Sequence, residues 1–349
     1  MPKLVAWEST RACRLACLHC RAEAQPEPHP HQLGKEEVFR LIDEIAAFSR
    51  PILIITGGDP LLREDIFEIS AYAERKGLRP VMSPSGSRIT PEIIEKMMTC
   101  GIKRISMSLD GPHAEVHDFF RQVRGCFDQT LQALEYARKA DLPFQVNTTV
   151  TRHNQGDLPA IRDLVLSLGA VAWDLFMFIP TGRGRAELAL SPGEYEEVMA
   201  WVHEASLGSP ILIKMTCSPQ YRRVLDQHGA IQKRTHPVGR GCMCGGGFCF
   251  VSHVGEVLGC GYLPLVAGNV RKQSFQEIYQ NSLLFRQLRD PSSLRGKCAR
   301  CEFRMLCGGC RARAFAISGD ALGEEPYCLY QPRAGREETD ARGSGKDPG

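Results

Sequence analysis

The sequence predicts an α/β fold: a partial parallel barrel of six β/α units, followed by a smaller domain held together by metal. Three observations carry this. Short β-branched runs alternate with helical stretches from residue 3 to residue 180. Chemically versatile residues fall just after the strand-like runs. Most of the fifteen cysteines in the 349 residues gather near the start of the chain and after residue 240.

The elements follow in order. KLVAWES at 3–9 reads as the first strand and leads into cysteines at 13, 17 and 20. KEEVFRLIDEIAAF at 35–48 has its apolar residues at helical spacing. PILIIT at 51–56 is too short for a helix and is closed by the turn signal GGDP. Helices are then predicted over 65–77, 91–101, 130–140 and 158–169, alternating with strands over 79–83, 104–109, 144–150 and 172–180. Parallel strands need such crossovers. Eightfold closure is not visible in the pattern.

Gly57, Gly58 and Asp59 follow the second strand, Ser85 the third, and Ser108 and Asp110 the fourth. Asn147 lies in the fifth strand, and PTGRG ends the sixth. Parallel barrels build their active sites on that rim, so one pocket is expected to collect these residues.

Residues 1–190 are assigned to the barrel and 191–235, which open with SPGEYEEVMAWVHEAS, to a helical connector. From 236 the composition turns to glycine and cysteine in RGCMCGGGFC, GCGYLPLVAGN and KCARCEFRMLCGGCRARA. Thiolate–metal bonds can replace part of the core that so small a unit lacks, so 236–333 is read as a second domain. The polar, glycine-rich tail 334–349 is expected to be disordered.

Apolar residues make up 43% of the chain and charged residues 24%, the balance of a globular enzyme. A net charge of +3 does not advertise nucleic-acid binding. No apolar run reaches membrane-spanning length, and MPKLVAWEST lacks the layout of a secretory signal. A cytoplasmic monomer is expected. Fifteen cysteines in a reducing compartment then point to metal or redox chemistry and not to a disulfide framework.

Three thiolates around a four-iron cube leave one iron with an open coordination position, where chemistry can occur. The arrangement Cys13-x-x-x-Cys17-x-x-Cys20 after a first strand resembles the radical S-adenosyl-L-methionine (SAM) superfamily. That resemblance implies a radical SAM barrel whose Cys13, Cys17 and Cys20 hold a [4Fe-4S] cluster that chelates SAM. GGDP resembles the motif that contacts the SAM amino group, with Asp59 where glutamate is commoner. His19 stands at a position often aromatic. Ser85 and Asp110 join the cofactor rim by their place after the strands; by the same likeness Ser108 and Asn147 touch the ribose region, and Arg121 meets the methionine carboxylate, for which its planar fork is suited. Each has a plainer reading as a turn or solvated residue.

Cys298-x-x-Cys301 and Cys307-x-x-Cys310 could form a zinc ribbon. With the cysteines around them they resemble the SPASM extension of radical SAM enzymes, which carries two auxiliary [4Fe-4S] clusters. By that likeness Cys298, Cys301, Cys307 and Cys328 hold one cluster. Cys249, Cys260, Cys310 and either Cys242 or Cys244, with Cys242 favoured, hold the other. Cys100 and Cys126 read as small apolar core residues. Cys217 reads as buried, with a substrate role as the minor alternative.

GFCFVSHVGEVLGCGYLPLVAGNVR, SLLFRQLRD and EEPYC resemble the haem-pathway branch of the superfamily. VNTTVTRHN, FIPTGRGRA and KMTCSPQYRRV lean toward its haem synthases. The likeness implies an oxidoreductase acting on an iron porphyrin. A 5′-deoxyadenosyl radical would abstract hydrogen from two propionates of iron-coproporphyrin III, which lose carbon dioxide and become vinyl groups, giving haem b. One electron leaves at each decarboxylation, and a cluster is a suitable sink. A low-potential donor such as ferredoxin or flavodoxin is implied as partner. Arg183, Arg185, Arg222 and Arg223 are candidate propionate clamps, and His29, His31 and His236 candidate axial ligands. Removal of side chains from siroheme-derived or haem d1 precursors, peptide maturation of the mycofactocin or sactipeptide type, and a zinc-stapled binding protein remain as alternatives.

Overall fold

The computed structural model describes residues 1–231 and 240–333. His236 and the tail 334–349 lie outside the described residues. Strands β1 (Leu4–Glu8), β2 (Ile52–Thr56), β3 (Arg79–Met82), β4 (Ile105–Ser108), β5 (Phe144–Val150), β6 (Ala172–Met177) and β7 (Leu212–Thr216) pair in parallel, each with the next. Helices α1 (Lys35–Phe48), α2 (Ile66–Arg75), α3 (Pro91–Thr99), α4 (Ala114–Arg121), α5 (Cys126–Lys139), α6 (Leu158–Ser167) and α7 (Pro192–Ser206) make the crossovers.

The alternation in the sequence explains the layers. In β5 the residues Phe144, Val146, Thr148 and Val150 are buried, while Gln145, Asn147 and Thr149 are only half-buried. The first set joins the core shared with the helices; the second faces the barrel interior. Helix α1 supplies Val38, Leu41, Ile42 and Ile45 to that core, one apolar stripe at the 3, 4, 7 spacing. Helix starts carry their own capping signals. The Thr90 side chain accepts from the Ile93 N–H ahead of α3, and Ser191 and Glu194 cap α7 reciprocally, with Pro192 in its first turn.

Two features extend the expected plan. The stretch 191–235, expected to be a helical connector, supplies α7, helix α8 (Tyr221–Gln227) and also β7, a seventh parallel strand against β6. The second unit does not stand apart. Its strands β8 (Phe248–Val251), β9 (Glu256–Cys260) and β10 (Leu263–Asn269) continue the barrel sheet in the order β10-β9-β8-β1-β2-β3-β4-β5-β6-β7. β8 pairs in parallel with β1, and β9 and β10 add to it antiparallel. Helices α9 (Phe275–Asn281), α10 (Leu283–Arg289), α11 (Gly296–Arg300) and α12 (Arg311–Ser318) complete the described chain. Among the described residues no helix is long and apolar enough to cross a membrane.

Candidate active site

The first cysteine loop leaves the end of β1. Cys13, Cys17 and Cys126 are buried together, with Cys20 packed against them. Donors point at all three assigned sulfurs: the Leu15 N–H at Cys13 Sγ (3.4 Å), the Ala24 N–H at Cys20 Sγ (3.5 Å) and Arg121 Nη1 at Cys17 Sγ (3.5 Å). Such donors favour thiolate and tune a bound cluster. Burial pushes the Cys13 thiol up, and a metal binds such a sulfur only once it is deprotonated. Soft sulfur ligands, sulfur-directed donors and a guanidinium behind them suit an iron–sulfur cluster.

The glycine motif is pressed onto this loop. The Gly58 N–H donates to the Thr10 carbonyl and the Asp59 N–H to the Ala12 carbonyl, both at 2.7 Å. A Cβ on Gly58 would lie 2.3 Å from the Ala12 oxygen, so only glycine allows the approach. Gly57 is as close to the Thr10 carbonyl, where a Cβ would lie 2.4 Å away. The Asp59 carboxylate is buried and accepts from Ser85 Oγ (2.6 Å) and the Leu61 N–H (3.1 Å), so two residues assigned separately to the rim meet directly. Ser108 and Asn147 are register partners on β4 and β5, and both are half-buried on the inner face.

Arg121 does not stand open at the rim. Its guanidinium is buried against the carboxylate of Asp110 and the sulfur of Cys17, and its Nε has no hydrogen-bond partner. The expected free fork for a carboxylate is therefore corrected to a counter-charge behind Cys17. Asp110 is fully buried and accepts from the Thr149 N–H at 2.7 Å, and a buried carboxylate demands a cation beside it. His19 stacks on Phe120 with ring centroids 4.3 Å apart, doing the work of an aromatic residue. Burial, reinforced by Arg121 and Arg183, holds it neutral.

Two of the four expected arginine clamps, Arg183 and Arg223, are already engaged. Arg183 Nε donates to the Cys17 carbonyl (3.1 Å), its Nη1 to the Ala24 carbonyl (2.8 Å) and its own N–H to the Cys20 carbonyl (3.0 Å). It buttresses the cysteine loop. Arg223 is buried in an ion pair with Glu196. Arg185 is exposed and Arg222 half-buried. His29 is exposed and meets His253 edge-on at 4.9 Å; His31 is exposed beside it.

Cys298, Cys301, Cys307 and Cys328 line one small pocket, together with Glu325 and Arg223. The Gly309 N–H points at Cys307 Sγ (3.4 Å) and the Glu325 N–H at Cys298 Sγ (3.3 Å). This is the sequence-assigned group of four, and a closed set of four thiols suits a cluster without an open iron.

In the other expected group Cys249 stands apart from Cys242, Cys260 and Cys310. Cys249 is fully buried on β8, opposite Val5 of β1, and burial pushes its thiol up. Cys244 instead lies against Cys242 and Cys260, and contact with Cys244 draws the Cys242 thiol down. Cys217 lies against Cys310 and near Cys260. Its backbone has φ 60°, and its carbonyl is held by Arg313 Nη2 (2.9 Å) and the Tyr195 hydroxyl (3.0 Å). The gathered thiols are thus Cys217, Cys242, Cys244, Cys260 and Cys310. Cys100, by contrast, is buried and donates to the Met97 carbonyl.

Sequence reasoning missed Glu8, Arg21 and His253. Glu8, fully buried at the end of β1, accepts from His253 Nδ1 (2.7 Å) and Arg21 Nη2 (3.1 Å). Burial raises its carboxyl, yet the His253 hydrogen bond and the charges of Arg21 and Arg11 together bring it down to about 2. A lone carboxylate inside an apolar strand was the available signal.

Comparison with known proteins places the chain in a family. Residues 7–165 match the family described as the radical SAM superfamily, and 242–302 match SPASM, an iron–sulfur cluster-binding domain. A protein of Methanosarcina barkeri named AdoMet-dependent heme synthase is 47% identical over 95% of this chain and 97% of its own. Another of that name, from Nitratidesulfovibrio vulgaris, is 47% identical over 95% of this chain and 93% of its own. The crystal structure of Streptococcus suis SuiB bound to S-adenosylmethionine has a TM-score of 0.77 at 13% identity, covering 95% of this chain and 78% of that one.

Proposed function

This chain belongs to the radical SAM superfamily and carries a SPASM domain, and from that premise we propose that it is a haem synthase that oxidatively decarboxylates two propionates of iron-coproporphyrin III. The observation that carries the reading is its near end-to-end identity with proteins named AdoMet-dependent heme synthase. Cys13, Cys17 and Cys20 would hold the SAM-binding cluster, Gly57, Gly58, Asp59, Ser85, Ser108 and Asn147 would form the rim around the cofactor, and Asp110 and Arg121 would set the charge behind Cys17. Once bound and reduced, SAM supplies a species able to remove one hydrogen atom from a propionate carbon.

The protein's share is positional. Ser85 and Ser87 fix the Asp59 carboxylate, so the glycine motif and the cysteine loop present one rigid face. For each propionate, one hydrogen atom, carbon dioxide and one electron depart, and the two side-chain carbons are left double-bonded. Cys298, Cys301, Cys307 and Cys328 would hold one auxiliary cluster. Four of Cys217, Cys242, Cys244, Cys260 and Cys310 would hold a second, and such clusters would supply one-electron acceptor chemistry. A low-potential donor such as ferredoxin or flavodoxin would reduce the first cluster in a cytoplasmic, monomeric enzyme.

The test is anaerobic incubation of the reconstituted protein with reductant, SAM and iron-coproporphyrin III, followed by mass analysis. Two successive losses of formic-acid mass are expected. An unchanged porphyrin, with 5′-deoxyadenosine accumulating, would move the substrate to another tetrapyrrole or to a peptide.

A further inference from the structure

Ser108, Asn147, Asp174 and Lys214 form one row across β4, β5, β6 and β7, each the register partner of the next. Register partners in parallel strands point to the same face. The alternate row, Met107, Val146, Trp173 and Ile213, is buried in the core beneath the helices, so the first row faces the barrel interior. It begins with the two residues assigned to the cofactor and runs away from them to a buried acid and a half-exposed lysine.

Asp174 is 2% exposed. Its Oδ2 accepts from Lys214 Nζ at 2.9 Å and from Thr216 Oγ1 at 3.0 Å, whereas Oδ1 is buried with no hydrogen-bond partner. A buried carboxylate oxygen left empty is costly, and its normal remedy is a donor brought by a ligand. The Lys214 side chain is 42% exposed, so its ammonium, which has three hydrogens and gives one to Asp174, remains reachable from the interior.

We propose that Lys214 receives the carboxylate of the propionate undergoing decarboxylation, with Asp174 as the positioning residue that aims the ammonium and offers Oδ1 to a donor on the bound ligands. This deepens the haem-synthase reading and rests on it. An anion held on the inner wall, in line with the cofactor rim, fixes which carbon lies nearest the reacting centre. Of the arginines first considered for this task, Arg183 is tied to the cysteine loop and Arg223 to Glu196, whereas Lys214 is the cation on this row.

The test compares wild type, Lys214→Met and Lys214→Arg in anaerobic spectral titrations with iron-coproporphyrin III and with its tetramethyl ester. Lys214→Met should lose affinity for the acid on the order of tenfold or more, Lys214→Arg should recover most of it, and the ester should bind all three alike. Asp174→Asn should lower kcat while leaving KM unchanged or reduced, because the counter-charge is gone but the ammonium is no longer aimed. Wild-type affinity in Lys214→Met, equal loss of acid and ester, or a raised KM with normal kcat in Asp174→Asn would overturn the assignment alone. If the wild type gives no Soret change with the acid, the haem-synthase reading falls and this inference with it.

Discussion

Arg21 follows Cys20 directly and donates from Nη1 to the carbonyl of Gly261, 3.5 Å away, which itself follows Cys260. The same guanidinium stacks 4.5 Å over the ring of Phe250 and reaches the buried Glu8 at 3.1 Å. One side chain therefore ties the first cysteine loop to the hairpin that carries a cysteine of the second unit. Glu8→Gln leaves Arg21 and His253 beside an uncharged partner and should destabilise the protein by about 3–5 kcal/mol. Thermal unfolding of the holoenzyme reads this as a fall in Tm of several degrees. A double-mutant cycle with Arg21→Met should give a coupling of about 1–3 kcal/mol; additive losses would show that Glu8 and Arg21 stabilise the fold separately.

The contact between Gly58 and the Ala12 carbonyl predicts a selective loss. In Gly58→Ala the new methyl would sit 2.3 Å from that oxygen, so the cysteine loop must shift. Iron and sulfide content should fall by one cluster's worth, and the C-terminal clusters should remain. Gly156→Ala, where nothing lies within 4 Å, is the control and should retain full content. Equal content in the two variants would mean that the close approach does not hold the loop.

His117 gives a pH dependence with a definite sign. It is fully buried, its Nδ1 accepts from the Asp110 N–H (3.1 Å), and its Nε2 faces Cys126. Burial, helped by the charge of Arg121, lowers its pKa from 6.5 to about 3. Below pH 6.5 the unfolded chain takes a proton that the folded chain refuses, so stability is fully present above that pH and is lost as pH falls toward about 3. Urea unfolding between about pH 7 and about pH 5.5 should show a contribution of up to about 1.4 kcal/mol per unit. His117→Gln, which still accepts from Asp110, should flatten that part of the profile; an unchanged slope would assign it to other groups.

How much of this could be read in advance depended on whether the feature was local. β1 to β6 are short apolar runs between helices and declare themselves. β7 does not, because only Ile213 of LIKMT is buried, while Lys214 and Thr216 face the interior and read as polar loop. The Cys13, Cys17, Cys20 loop is one local turn, so that these three lie together could be read from their spacing. The grouping of distant thiols is not local. Whether Cys244 or Cys249 faces Cys260 is decided by the side of β8 that turns to the core, and that follows from its pairing with β1, some 240 residues earlier in the chain, here Val5 opposite Cys249. Arg121 misled for a related reason. Its type suits a carboxylate, but the buried Asp110 claims it first.

The regrouped thiols yield a direct comparison. Cys249→Ala removes one buried sulfur on the core side of β8 and should leave cluster content unchanged, at a stability cost of about 1–2 kcal/mol for the small cavity. Cys244→Ala and Cys260→Ala should each lose one auxiliary cluster, seen as reduced iron and sulfide and a missing EPR component. Cys217→Ala decides between the five candidates for four places: retained content makes Cys217 the spare thiol, and lost content makes it a ligand. Loss of a cluster in Cys249→Ala with full content in Cys244→Ala would restore the spacing-based assignment.

The cavity lined by Cys298, Cys301, Cys307 and Cys328 bears on where the departing electron goes. If that cluster accepts it, hydrogen abstraction needs only the first cluster, while vinyl formation needs both. Cys301→Ser should therefore still generate 5′-deoxyadenosine but convert little porphyrin, so the ratio of 5′-deoxyadenosine to vinyl product should rise severalfold over wild type. Cys17→Ala differs in kind. It removes the sulfur that Arg121 faces at 3.5 Å, and it should abolish both products while the C-terminal iron persists. Chromatography of 5′-deoxyadenosine alongside mass analysis of the porphyrin separates the two outcomes in a single reaction. If Cys301→Ser loses both products in step, that cluster stabilises the fold or feeds electrons inward. An unchanged ratio at full turnover would leave the group around Cys260 and Cys310 as the electron's destination.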